Sequence, residues 1–298
     1  WVLKMTANMK SFAFLIFGSV TLFLLGANYL SAVSCDRNTD GEIEDTSIPP
    51  GGGCTVTPDE VHFPIYKFGL CEEVPTYQNY LTACKFLYDS TSGETVAVTT
   101  SSNFQLAENV TIDEGTYEAT IVLVGNTIKV RHSDVFDADW DGLEDNGAGG
   151  YSDTTGNYCA TRLDSGSEDD FDSNLDCANS ALEAGMFSET VGAYHTAGAC
   201  TLVGGNIVSN LSFTTNSGAT TVCGMLDEDT LETYDGLGDT DATRQLIIQT
   251  FTNEVTISPN TTSLEIAFKV TDMLSIENPN ADYLQAYLDG FEISIEAN

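Results

Sequence analysis

Short runs in which apolar and polar residues alternate recur along most of this chain. Leu264, Ile266, Phe268 and Val270 alternate with Glu265, Ala267 and Lys269, and Phe291, Ile293 and Ile295 alternate with Glu292, Ser294 and Glu296. That period of two puts one face of a strand on a core and the other in water. Regular structure is expected to begin around Val61 to Phe68. Further strands are expected at TVAVTT (95–100), NIVSNLSF (206–213), RQLIIQTF (244–251) and EVTIS (254–258). In VTIDEGTYEATIVLVGNTIKV, Tyr117, Ala119, Ile121 and Leu123 share a face. Gly125-Asn126 then reads as a two-residue primed turn, with Ile128 and Val130 on the returning strand of a hairpin.

Short strands joined by polar loops, with no alternation of strand and helix, predict a mainly β protein built as an antiparallel β-sandwich. Helical patterning is sparse. CANSALEAGMF (177–187) fits one short helix, and NADYLQAYLDG (280–290) fits another, capped by Asn280 and stopped by Gly290. YQNYLTACKFLY (77–88) fits either a helix or a strand.

The N-terminus departs from this pattern. From Met9 it has a basic Lys10, an apolar run from Phe12 to Leu25, and a small-x-small stretch, Ala32-Val33-Ser34, before Cys35. This reads as an apolar helix that is a secretory signal peptide. The alternative is an anchor helix retained in the mature protein, although the run is short of the roughly 20 residues a membrane span needs. Ala32-Val33-Ser34-Cys35 also resembles a bacterial lipobox that lacks the preferred leucine.

The expected organisation has five parts. Residues 1–34 form the signal or anchor, and 35–60 an acidic Gly/Pro linker or arm. Residues 61–132 form a β-sandwich domain, and 133–200 a long acidic region bracketed by disulfides. Residues 201–298 are a strand-rich C-terminal part that completes one sandwich with 61–132.

Composition narrows the function. The chain has 298 residues with 45 acids against 10 bases, a formal charge of −35, while 42% hydrophobic residues suffice for a core. Nucleic acid is excluded as a partner, because phosphate neutralisation needs clustered Lys and Arg. Eight cysteines (Cys35, Cys54, Cys71, Cys84, Cys159, Cys177, Cys200 and Cys223) without a C-x-x-C pair point to disulfides in an exported protein. Connectivity does not follow from sequence. Pairing in sequential order (35–54, 71–84, 159–177, 200–223) would close loops of about 13 to 24 residues, each worth about 3 kcal/mol.

Two acid motifs suggest calcium. Asp137, Asp139 and Asp141 are followed by Gly142, with the Leu143 carbonyl and Asp145 in ligand positions seven and nine. This string, D-x-D-x-D-G-x-x-D, is similar to thrombospondin type 3 and related bacterial calcium loops. It resembles these more than a helix-loop-helix sensor, because Ala148 stands where the closing glutamate would be. A second candidate is Asp36, Asn38, Asp40 and Gly41, with Ile43 at the apolar eighth position and Glu42 and Glu44 as further oxygen donors. It resembles a dockerin or EF-hand loop with a damaged end. The clusters at 168–172 and 227–229 lack this spacing and read as solvated faces.

No catalytic residue stands out. His62, His132 and His195 are far apart, and no H-E-x-x-H, G-x-S-x-G, P-loop or dinucleotide fingerprint occurs. Only two tryptophans, Trp1 and Trp140, are present. The sequons at Asn109, Asn210 and Asn260 matter only in a glycosylating host.

The expectation is therefore a secreted or cell-surface, non-enzymatic structural protein, with Ca²⁺ as cofactor. It would be a subunit of an extracellular filament, coat or adhesin that binds copies of itself by strand addition, or cell-surface and glycan partners. It would touch a membrane only through a retained or lipidated N-terminus. The alternative is a calcium-dependent glycan- or ligand-binding module using an exposed Trp140, and a secreted hydrolase is the least favoured reading.

Overall fold

The computed structural model describes residues 33–76, 78–99, 113–142, 155–162, 175–190, 200–203, 206–209, 211–214, 218–225, 242–261, 264–279, 283–288 and 292–297. The expected N-terminal helix, Val33 and Ser34 aside, lies outside them.

The strands are β1 (Gly52–Val56), β2 (Glu60–Cys71), β3 (Cys84–Thr99), β4 (Gly115–Gly125), β5 (Thr127–Arg131), β6 (Ser133–Gly142), β7 (Thr155–Thr161), β8 (Leu175–Ala178) and β9 (Phe187–Thr190). They continue with β10 (Cys200–Val203), β11 (Asn206–Ser209), β12 (Leu211–Thr214), β13 (Ala219–Met225), β14 (Arg244–Ile257), β15 (Leu264–Lys269), β16 (Leu274–Asn278), β17 (Tyr283–Leu288) and β18 (Glu292–Ala297).

The protein is mainly β, as expected. One sheet runs β1-β16-β17-β6-β7-β8. A larger one runs β12-β13-β14-β4-β2-β5-β9, with β3 on the other side of β2. Strands from 61–132 and from 201–298 thus share a sheet. Among the described strands, pairing is antiparallel apart from β17 with β6, which are parallel over Tyr283↔Asp141 and Leu284↔Gly142.

The sandwich core mixes residues of both sheets. Phe63, Ile65, Phe68, Val122 and Val124 of the larger sheet share one buried cluster with Phe136, Leu274, Ile276 and Leu284 of the smaller. A second cluster gathers the alternate residues, Ala119, Ile121, Leu123, Leu246 and Ile248, with Tyr80 and the Cys71 and Cys84 pair. The central strands β4 and β14 are therefore buried on both faces. This explains their near-continuous apolar runs, TIVLV and QLIIQ.

One of the polar residues in these runs, Gln249, is fully buried. Its side-chain nitrogen donates to the Ile293 carbonyl at 2.5 Å, and its oxygen accepts the Ile293 N–H at 3.1 Å. One amide thus satisfies both backbone groups of a residue on β18.

The hairpin expected at Gly125-Asn126 does not form. Val124 pairs with Ile65, and Lys129, Val130 and Arg131 pair with His62, Val61 and Glu60, so β4 and β5 run on in one direction along β2. Neither Gly125 nor Asn126 has the positive φ a primed turn requires. Gly125 is there because Pro64 lies against it: a Cβ would fall 2.4 Å from Pro64 Cγ. Asn126 pins the kink to the start of β14, its N–H donating to the Thr243 carbonyl and its side chain to Ala242.

Both expected helices are also absent. Residues 283–288 form β17, with Tyr283, Leu284, Gln285 and Ala286 all buried. Residues 177–187 leave β8, cross an irregular stretch and enter β9. Tertiary burial overrides helical spacing in β17. The acidic region 133–200 contributes β6 to β9 and buries Phe136, Leu175 and Phe187, so it does not dispense with a core.

Candidate functional site

The only chemistry-bearing motifs singled out by the sequence, the two acid strings, meet in the fold. Residues 35–48, part of the segment 35–60 expected as a linker or arm, pack on the fold: Ile43 and Ile48 are buried. The acid string folds first on itself. Asn38 Oδ1 accepts the N–H groups of Asp40 and Glu42 at 2.9 and 3.0 Å, and the chain reverses through Gly41, whose φ of +87° suits glycine. Arg37 pairs with Ile43 across this turn, and Asn38 Nδ2 donates to Glu42 Oε2 at 2.9 Å.

The turn then docks on β6. Ile43 bridges Phe136 in parallel, its N–H donating to the Val135 carbonyl at 2.8 Å and its carbonyl accepting the Asp137 N–H at 3.0 Å. Asp45 N–H donates to Asp137 Oδ1 at 2.8 Å.

A side-chain clasp reinforces the contact. Both Arg37 guanidinium nitrogens bind Asp134, Nη1 at 2.7 Å from Oδ1 and Nη2 on Oδ2. The His132 ring, nearly fully buried, sits behind, with Nε2 3.4 Å from Asp134 Oδ2 and outside hydrogen-bond geometry. Burial opposes ionisation of Asp134, but the Arg37 hydrogen bonds, aided by His132, outweigh it and hold the carboxyl down at about 2. The same bonds raise Arg37. Sequence reasoning missed this clasp, since nothing links positions 97 residues apart. The one available signal was Ile43, an apolar residue in an acidic turn.

The calcium ligands fare differently. Asp137, Asp139 and Asp141 lie on strand β6, whose pairing with β7 shifts register between Val135 and Trp140, and Phe136 of the same strand is buried. Asp137 is engaged by Asp45, and Asp141 Oδ1 accepts the Thr155 hydroxyl at 2.5 Å. Leu143 and Asp145 lie outside the described residues. In the second string, Asn38 uses its oxygen on its own turn, and Asp36 contributes its carbonyl to the Glu44 N–H. Among the described residues no group of three or more His, Cys, Asp or Glu is placed to hold a metal ion.

Trp140 is not the exposed platform expected of a glycan site. It packs against the main core with its indole N–H buried and, among the described residues, without a hydrogen-bond partner. A shallow groove of about 390 Å³ beside β7 and β8 has Arg162, Asp176, Leu182 and Glu183 in its wall, with Arg162 Nη1 3.4 Å from Asp176 Oδ1. His195 and Trp1 lie outside the described residues.

Three disulfides follow the sequential pairing: Cys35–Cys54, Cys71–Cys84 and Cys159–Cys177. The latter two join residues directly opposite in the β2–β3 and β7–β8 ladders. Cys223 is also disulfide-bonded, while the side chain of Cys200, its expected partner, lies outside the described residues. Compared with known proteins, the chain matches no family model, no curated protein and no solved structure.

Proposed function

We propose that this protein works outside the cell as a non-enzymatic building unit of a surface assembly, filament or adhesive coat. The disulfides are the observation that carries the reading. Bonds tying the arm to β1, β2 to β3 and β7 to β8 suit an oxidising compartment, where such links persist and stiffen a passive scaffold. The surplus of acids, spread over the outward face of β6 and the arm, favours solubility in the salt-rich exterior.

Contact with copies of the chain is part of this proposal. The strand of the arm and the last strand already pair internally, β1 with β16 and β18 with β15, so donation would exchange these pairings between copies. The second route is β3, which among the described residues pairs with β2 alone and offers its other edge for strand addition. Calcium enters the proposal on charge density and the D-x-D-x-D-G string alone.

Sedimentation and electron microscopy of the exported protein, with Ca²⁺ and with chelator, test the reading. Concentration-dependent oligomers or polymers are expected. A monomer at every concentration would remove the building-unit role.

A further inference from the structure

The sequence places export cleavage between Ser34 and Cys35, by signal peptidase or by lipoprotein processing with Cys35 as the acylated residue. The folded chain uses the residues on both sides of that bond. The Val33 carbonyl accepts the Thr55 N–H at 3.0 Å, and Cys35 N–H donates to the Thr55 carbonyl at 2.9 Å. Ser34 forms a parallel bridge with Thr55, and its hydroxyl donates to Asp272 Oδ1 at 2.8 Å.

Thr55 is only 2% exposed, so water is poorly placed to replace the acceptor that leaves with Val33. β1 is also the outermost strand of its sheet, and residues 33–35 cover part of its outer edge. The sulfur chemistry agrees. Cys35 Sγ is bonded to Cys54 Sγ. Lipid attachment makes a thioether at that same sulfur, which cannot then join Cys54. It would also leave Cys54, 2% exposed, as a buried unpaired thiol and the chain with an odd number of cysteines.

We propose that the mature chain begins at or before Val33, and that Cys35 is a half-cystine closing the edge of β1 instead of a lipid attachment point. This rests on the exported reading above.

The test is unreduced peptide mapping of the full chain exported by a host with both processing routes, in the presence of labelled palmitate. An N-terminal peptide that includes Val33, cross-linked to the peptide of Cys54 and unlabelled, is expected. A chain starting at Cys35, or label on Cys35, would overturn the proposal. As a second measurement, Cys54→Ser should lower Tm by roughly 5–10 °C and expose one alkylatable thiol at Cys35. An unchanged Tm with Cys35 blocked would also overturn it. Recovery only from the cell interior would count against export, and the Cys54→Ser comparison on oxidised purified protein would still decide the role of Cys35.

Discussion

Replacing Asp134 with asparagine removes the charge that anchors the arm to β6 while keeping the shape of the side chain. The carboxyl is held at about 2 against 3.8 for a free aspartate. At about 1.4 kcal/mol per tenfold change in proton affinity, this corresponds to about 2.4 kcal/mol at neutral pH. The Arg37 side chain is 42% exposed, so screening reduces the expectation to about 1.5–2 kcal/mol.

The sign follows from the direction of the shift. A carboxyl whose folded-state pKa is depressed contributes fully above its unfolded value, and the contribution fades as pH falls from about 4 to about 2. Urea unfolding of the wild type and of Asp134→Asn should therefore differ by about 1.5–2 kcal/mol at pH 7, and the gap should close by about pH 2. Equal stability at pH 7, or a gap that persists undiminished at pH 2, would refute the clasp. Arg37→Gln, measured in the same series, should be non-additive with Asp134→Asn, because the two substitutions remove one interaction.

Three other perturbations probe the fold. Gly125→Ala drives a methyl against Pro64 and should cost about 1–3 kcal/mol in thermal or urea unfolding, whereas a true turn glycine elsewhere would leave β2 undisturbed. Gln249→Leu keeps the volume but strips Ile293 of both backbone partners, an expected loss of about 2–3 kcal/mol with faster amide exchange at Ile293. Reduction should lower Tm markedly, since each bridge is worth about 3 kcal/mol. Chelator alone should change Tm only if calcium binds, so scans in reductant and in chelator separate the two supports.

The fold class was legible because alternation is a local property. β14, β15 and β18 announce themselves by their own residues, and three bridges match the sequential pairing, one of those the sequence left open. What sequence misread were places where the partner decides. Gly125-Asn126 carries turn chemistry, yet β2 is long enough to hold both β4 and β5 along one side, and the close approach of Pro64 explains the glycine.

The spacing in YLQAYL suits a helix, yet Tyr283 to Ala286 are buried as β17 between β16 and β6. In β6, half of the alternation is aspartate, so a strand pattern resembled a calcium loop. Phe136 and Trp140 on the inward face were the clue. The clasp of Arg37 with Asp134 joins distant segments, and its one local signal was Ile43, apolar within an acidic turn.

The central claim, a covalently cross-linked scaffold that works outside the cell, is tested most directly by the thiol state of the native protein. Intact material is alkylated before any reduction, then digested and mapped by mass spectrometry in exterior and interior fractions separately. The account predicts protein in the exterior fraction with links 35–54, 71–84 and 159–177 and no alkylated cysteine. Protein confined to the interior with these cysteines free and alkylated would contradict it.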